Sequence, residues 1–133
     1  MDIKPPTFVR WVEPDEHLDD LINEAKARTW VSEAEHAILS LETGERPMVM
    51  GGLDGIQFEV EAADHGDPII LKIEGRRIRV STIDWHTHPR VTGPTDGDRK
   101  AMILLNQRIS RIYELGDDSD GTSFGPDKHQ PNG

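Results

Sequence analysis

The most informative part of this chain is the segment His86-Thr87-His88-Pro89-Arg90-Val91-Thr92-Gly93-Pro94-Thr95-Asp96-Gly97-Asp98. In an extended segment, side chains two residues apart point to the same side, so His86 and His88 can meet one metal ion. Asp98 follows His88 by ten residues, beyond a turn rich in glycine and proline. A zinc ion with only three protein ligands keeps its fourth position for water. The pattern therefore predicts an open, catalytic type of metal site ligated by His86, His88 and Asp98.

The third ligand lies where a helix is expected to begin. Thr95 or Asp96 can cap a helix that runs to about Gln107, which places Asp98 in the first turn, facing the metal. Asp96 is the competing third ligand. At the cap position, however, its carboxylate would accept hydrogen bonds from backbone N–H groups instead. Two neutral imidazoles and one carboxylate suit zinc, so Zn2+ is the expected cofactor.

This motif resembles that of the JAMM (JAB, or MPN-plus) zinc metallopeptidases, of the bacterial or phage type. The family pattern is a glutamate, then His-x-His, a spacer, and Ser-x-x-Asp. In this chain Thr95 takes the place of the serine, and the spacer from His88 is one residue shorter than in the family. The resemblance covers roughly residues 33 to 115. It implies an MPN/JAB-like fold and hydrolysis of an isopeptide or C-terminal peptide bond in a ubiquitin-like or sulfur-carrier protein.

The resemblance also implies roles for further residues. In the family the glutamate opens a strand that follows the first helix, and Glu35 fits that position best, with Glu33 as the runner-up. Glu35 would act as general base and acid on the attacking water and the leaving amine. The Thr95 hydroxyl would donate a hydrogen bond to the substrate carbonyl, with Thr92 as a rival for this task. Asp84 could orient a ligand histidine, although an ordinary role at the strand end is the favoured interpretation.

Other conspicuous side chains are interpreted as bystanders. His17, His65 and His129 lie in polar stretches and are expected to be exposed. His36 should point away from Glu35, because neighbouring residues of a strand face opposite sides. Trp85 is expected in the core or in the wall of a cleft. A short basic cluster is expected at a solvated strand edge, where it could also meet an acidic partner; it comprises Arg76, Arg77 and Arg79.

Two classes of function follow. The first is an active zinc metallopeptidase, which could be an effector domain of a bacterial toxin or phage system. The second is a non-catalytic MPN-like relative that serves as a binding module. Other His-x-His families fit less well. Amidohydrolases and phosphoesterases usually belong to much longer barrels, Arg90 stands where a metallo-β-lactamase has aspartate, and the glutamate of a cupin is missing before Glu114.

The length and composition of the chain limit the possible types of site and partner further. A chain of 133 residues is long enough for one domain with a real core. It has no cysteine, which excludes disulfides, a thiolate zinc cluster and a cysteine nucleophile. The net charge of -10 argues against nucleic-acid binding through phosphates. No apolar run reaches the length of a membrane span and the first residues lack a signal-peptide core, so a cytoplasmic protein is expected. The resemblance to the JAMM peptidases implies a protein or peptide substrate. The oligomeric state stays open.

The expected fold is a mixed α/β (α+β) domain with a central, mostly antiparallel sheet flanked by two helices. Residues 1–13 are predicted to form an extended arm anchored by its aromatic side chains, residues 14–116 the metallopeptidase-like domain, and residues 117–133 a flexible segment rich in Asp, Ser, Gly and Pro. The expected helices cover 15–28 and 95–107. The expected strands cover 35–41, 46–50, 56–61, 69–73, 76–83 and 109–115.

Overall fold

The computed structural model describes residues 1–61, 68–117 and 120–127. Two helices and a mostly antiparallel sheet confirm the predicted α/β class. The elements in chain order are β1 (Ile3–Lys4), β2 (Thr7–Trp11), α1 (Leu18–Ser32), β3 (His36–Leu41), β4 (Pro47–Met50), β5 (Gly55–Ile56), β6 (Glu59–Val60), β7 (Ile69–Ile73), β8 (Arg76–His88), α2 (Asp96–Leu105), β9 (Ser110–Glu114) and β10 (Thr122–Phe124).

The main sheet runs in the order β10-β9-β8-β3-β4-β2. Its neighbouring strands are antiparallel, except for the parallel pair β8 and β9. At the other end of β8, its first residues pair with β7, which in turn pairs with β6. Strands β1 and β5 form a separate parallel pair. Strand β8 therefore pairs with three strands along its length, namely β7, β3 and β9.

Strand β8 extends five residues beyond the predicted end at Ile83. The extension forms because both sides of β8 find partners there: β3 continues on one side as far as His86, and β9 joins on the other side from His86 to His88. All four residues from Trp85 to His88 are buried as a result. The two histidines thus lie on a paired strand and not on a loop.

The two helices lie on opposite faces of the sheet. Successive strand residues point to opposite faces, and Ile38 belongs to the apolar cluster under α1 whereas Leu39 belongs to the cluster under α2. Helix α1 contributes Leu21 and Ala25 to its cluster, and α2 contributes Met102 to the other. Burial of these faces against the sheet provides the main stabilisation of both helices.

Helix α1 begins and ends later than predicted, at Leu18 and Ser32 instead of residues 15 and 28. It begins late because Glu16 lies in the preceding turn, where its carboxylate accepts hydrogen bonds from the Glu13 N–H and the Arg10 guanidinium. It ends at Ser32 because the next residue, Glu33, donates the last helical hydrogen bond, to Thr29 O, and then turns the chain away with a left-handed backbone.

The prediction of one continuous strand over 56–61 is wrong, although Ile56 and Phe58 pack against the core, as their alternation predicts. The segment divides into β5 and β6, which pair with different partners. Val60 is exposed, and the acidic residues beside it face the basic cluster of β8: Glu59 forms an ion pair with Arg77, and Glu61 with Arg79. The segment therefore has a core side at Ile56 and Phe58 and an ion-paired surface at Glu59 and Glu61.

The two ends of the described chain add strands to the sheet. Within the arm predicted for residues 1–13, β2 is an edge strand paired with β4, and Phe8 and Trp11 pack against the core. Within residues 117–133, the segment predicted to be flexible, β10 pairs with β9 and buries Phe124, whereas residues 118–119 and 128–133 lie outside the described part of the chain. A single large apolar residue is enough to anchor this short strand, because burying an aromatic ring is strongly favourable.

Neither helix in the described part of the chain is long and apolar enough to cross a membrane.

Candidate metal centre

Four side chains converge at the end of β8. Glu35, His86, His88 and Asp98 each offer one ligand atom, and these four atoms lie within 4.8 Å of one another. The His86 Nε2 atom is 3.0 Å from the His88 Nε2 atom and 3.1 Å from Asp98 Oδ1. The His88 Nε2 atom is 3.3 Å from Asp98 Oδ2 and 3.8 Å from Glu35 Oε2. The structure therefore brings together the three predicted ligands and the predicted base.

Sheet pairing holds Glu35 beside the histidines. Ala37, two residues after Glu35, lies opposite His86 in the β3–β8 pairing. The backbone of Glu35 is fixed on its other side, because its N–H donates to Gly52 O and its carbonyl accepts from Gly51 N–H. Glu35 and not Glu33 occupies the site, since Glu33 is exposed at the end of α1.

The start of α2 fixes Asp98. Thr95 is the N-cap residue, and its hydroxyl accepts a hydrogen bond from the Asp98 N–H, while the Thr95 N–H donates to Asp98 Oδ2. This reciprocal capping box satisfies two backbone donors that a helix start leaves unpaired. Asp96, the competing ligand, is exposed as the first helical residue and is not part of the cluster. The same Asp98 carboxylate thus serves both the helix cap and the candidate site.

The spacing of the donor atoms fits a tetrahedral ion. With bonds of about 2.0–2.1 Å, neighbouring ligand atoms around zinc are about 3.3 Å apart. The separations among His86 Nε2, His88 Nε2 and the Asp98 oxygens are 3.0 to 3.3 Å. Glu35 stands farther from His88, at 3.8 Å. The residues therefore fit a zinc-like ion held by three ligands, with Glu35 next to it.

Burial and charge shift the pKa values of these groups. Burial raises the pKa of Glu35 to about 7, against the opposing effect of the two histidines. Burial alone would lower the pKa of His88, but Asp98, Glu35 and Glu114 together raise it to about 9. Burial would raise the pKa of Asp98, yet the two histidines hold it well below its usual range. In the metal-free protein, His88 is therefore a positively charged imidazolium at neutral pH.

Sequence reasoning missed Glu114. Its buried carboxylate lies 2.9 Å from Nδ1 of His88, the ring nitrogen that faces away from the cluster. The one local signal was an acidic residue at the end of the apolar run Ile112-Tyr113. Its contact with His88 depends on the parallel β8–β9 register, which places His88 opposite Glu114.

The two histidines differ in the contacts of Nδ1, the ring nitrogen that faces away from the cluster. Among the described residues, Nδ1 of His86 is buried without a hydrogen-bond partner. The ring of His86 instead meets the edge of Phe124, with the ring centroids 5.9 Å apart and the planes nearly perpendicular. His86 is therefore positioned by packing against β10, whereas a carboxylate contacts His88.

The remaining candidates lie outside the cluster. Asp84 lies within β8, which continues to His88, so the predicted position at a strand end is wrong. It accepts hydrogen bonds from Ser40, Thr82 and Arg46 and not from a ligand histidine. Thr92 is beside the outer nitrogen of His88, with its hydroxyl 3.1 Å from Nδ1. This position, behind the ring, does not suit contact with a substrate carbonyl.

The bystander predictions are also resolved where the structure describes the residue. His36 points away from Glu35 and binds the Ala34 carbonyl and the Thr29 hydroxyl through Nδ1. Trp85 is in the core, edge-on against Tyr113. His17 is exposed before α1. Two further predicted bystanders, His65 and His129, lie outside the described residues.

Comparisons with protein-family models, with curated proteins and with solved structures each found no match to this chain.

Proposed function

We propose that this protein is a zinc-dependent metallopeptidase that hydrolyses an amide bond. One observation carries the proposal: the convergence of Glu35, His86, His88 and Asp98, buried or nearly so, with three of them at the spacing of zinc ligands. A purely structural zinc site uses four protein ligands, commonly with cysteine. A set of three ligands beside a carboxylate of raised pKa is typical of hydrolytic centres.

His86, His88 and Asp98 would hold the ion through Nε2, Nε2 and the carboxylate. Bound zinc supplies Lewis acidity, which polarises a carbonyl and lowers the pKa of a coordinated water to about 7. The three ligands come from a paired strand and a capped helix, both rigid elements, so little reorganisation is needed on binding.

Glu35 would be the general base and acid. Its pKa, raised by burial to about 7, suits a group that takes up and releases a proton near neutral pH. Its carboxylate is close to the ligands but farther from His88 Nε2 than Asp98 is. Glu35 would accept a proton from the attacking water and deliver it to the leaving amine.

The Thr95 hydroxyl would assist the carbonyl oxygen. It already accepts a hydrogen bond from the Asp98 N–H, so its own hydrogen is available to donate. Thr95 is exposed, one helical turn before Asp98, where a substrate could reach it. A hydrogen-bond donor of this kind is worth about 100-fold or more in turnover.

The motif resemblance to JAMM peptidases supports a protein or peptide substrate, including the C-terminus of a ubiquitin-like or sulfur-carrier protein. The acidic chain, with its net charge of -10, favours neutral or basic partners through long-range attraction. On this proposal the scissile bond is an isopeptide or C-terminal peptide bond.

The second candidate is a binding module that keeps the metal site without catalysis. One feature favours it: the Thr95 hydroxyl is committed to the helix cap, and it stands one residue closer to His88 than the serine in the resembled motif. A capping hydroxyl has less freedom to turn toward a substrate.

The decisive experiment compares the parent protein with Glu35→Gln, both loaded with zinc, on C-terminal aminocoumarin amides of ubiquitin and of a sulfur-carrier protein. We expect hydrolysis by the parent only, with equal zinc content in both proteins. Glu33→Gln is the matched control and should stay active. Zinc-loaded parent that cleaves none of the amides would favour the binding module.

A further inference from the structure

Glu114 makes an unusual set of contacts through one oxygen atom. Its Oε2 lies 2.9 Å from His88 Nδ1, and it accepts hydrogen bonds from the Thr92 N–H at 2.8 Å and from the Gly93 N–H at 3.0 Å. The Leu115 N–H donates to the His88 carbonyl, so the backbones are also joined. One buried carboxylate oxygen therefore connects the end of β8, the end of β9 and the turn that leads to α2.

The chemistry of these partners fixes the state of His88. The N–H groups of Thr92 and Gly93 are donors, so the oxygen between them must be an acceptor. Two backbone N–H groups and the His88 ring all lie within hydrogen-bond distance of Glu114 Oε2, an arrangement that suits an ionised carboxylate. An ionised carboxylate can only accept, so Nδ1 of His88 has to carry a hydrogen. When His88 is neutral, its lone pair is then on Nε2, the nitrogen that faces the cluster.

We propose that Glu114 is a positioning residue that holds His88 in the metal-binding tautomer and ties the Thr92-Gly93 turn to it. This inference rests on the proposed zinc site. Histidine ligands commonly donate their second N–H to a carboxylate, which sets the ring orientation and makes the ligand more basic. Here the same carboxylate also anchors the turn that precedes Thr95, so it sets the distance between the two histidines and the helix that bears Asp98.

Glu114 gives the two histidines unequal support. No described residue hydrogen-bonds to Nδ1 of His86, whose ring rests on Phe124. Loss of Glu114 therefore leaves neither imidazole with a carboxylate partner on its outer side. We expect the zinc affinity to depend strongly on this residue, although it does not touch the metal.

The test compares the variants Glu114→Gln and Glu114→Ala with the control Asp84→Asn. The control removes a partly buried carboxylate from β8, the strand that bears His88. Asp84 bonds to Ser40, Thr82 and Arg46 but to neither ligand histidine. Two properties are measured: the zinc affinity, by competition with a chromophoric chelator, and the tautomer of His88 in metal-free protein, from its ring 15N chemical shifts at the alkaline end of a pH titration.

We expect zinc binding to weaken by about 10- to 100-fold in the Glu114 variants, less in Gln than in Ala, because glutamine keeps the shape and a neutral acceptor. His88 should change from Nδ1–H toward Nε2–H in Glu114→Ala, and Asp84→Asn should alter neither property. If Glu114→Ala does not fold, Glu114→Gln carries the affinity measurement, because its amide oxygen can still accept from Nδ1–H and leave the tautomer unchanged. An unchanged tautomer in Glu114→Ala, or a zinc affinity within about twofold of the parent in the Glu114 variants, would overturn the inference.

Failure of this inference is distinguishable from failure of the proposed function. If the parent binds zinc but hydrolyses nothing, the affinities still decide the role of Glu114. If the parent binds no zinc, the zinc-site proposal fails, whereas the tautomer of His88 still shows whether Glu114 controls the ring.

Discussion

His86 Nε2 and His88 Nε2 lie 3.0 Å apart at the end of β8, closer than two protonated rings would tolerate. Strand alternation accounts for their shared side, and pairing with β3 and β9 on the two edges of β8 fixes the position of the backbone. Asp98 meets both rings from the first turn of α2. A metal ion bound between these three side chains should therefore change the stability of the protein and the number of protons that it binds.

Zinc should stabilise the folded protein. Unfolding separates the ligands of β8 from Asp98 on α2, so a metal that binds only the folded site adds about 2.7 kcal/mol when the free ion is at 100 times its Kd. Thermal unfolding with and without added zinc measures the effect. His88→Ala should abolish the zinc-dependent shift, and an equal shift in this variant would place the ion elsewhere.

Zinc binding should release protons at neutral pH. The pKa of His88 is raised to about 9 in the metal-free protein, and the metal requires the neutral ring. Below pH 9 the ion must displace a proton, so affinity falls as the pH is lowered, and above pH 9 the dependence on this group disappears. Calorimetric titrations at pH 7 in buffers of different protonation enthalpy measure the number of protons. Zero protons released at pH 7 would contradict the assigned ligand state.

Phe124→Ala should destabilise the fold and loosen His86. Phe124 is buried in the core cluster and its ring supports the His86 imidazole. Truncating a buried phenylalanine typically costs about 3–5 kcal/mol. Urea unfolding measures this loss, and Ile103→Ala, at a residue 64% exposed on α2, should change stability by less than about 0.5 kcal/mol. Equal effects of the two variants would mean that β10 does not anchor the C-terminal segment.

Arg10 should stabilise the fold in a pH-dependent way. Its hydrogen bonds lower the pKa of Glu16 to about 2 and also lower the pKa of Glu24 on α1. A lowered folded-state pKa contributes stability that is present above the ordinary value of 4.5 and is lost as the pH falls toward 2. The stability difference between the parent and Arg10→Gln should therefore be largest at neutral pH and vanish near pH 2. Lys100→Gln removes an equal charge from an exposed position on α2. A stability difference with the same dependence on pH in this variant would contradict an effect specific to Arg10.

The local part of the site could be predicted from sequence because its determinants are local. The shared side of His86 and His88 follows from strand alternation, and Thr95 with Asp98 follows from the signature of a helix start. The assignment of Glu35 came from the resemblance to JAMM peptidases, in which the glutamate opens the strand after the first helix. The first two inferences use residues close together in the chain.

The contacts that support the site could not be predicted in the same way. Glu114 reaches His88 through the parallel register of β8 and β9, and Phe124 reaches His86 through β10; both contacts join segments distant in sequence. The division of segment 56–61 into two strands could not be predicted for a related reason. Glu59 and Glu61 pair with Arg77 and Arg79, which sequence alone does not place beside them.

The most direct test is the zinc content of the purified protein by elemental analysis, beside His86→Ala and Asp98→Ala. Asp96→Ala is the matched control, because it removes an exposed carboxylate two residues from Asp98 on the same helix. The account predicts about one zinc per chain in the parent and in Asp96→Ala, and little in the other two variants. A parent protein that neither contains zinc nor takes it up on addition would contradict the central claim.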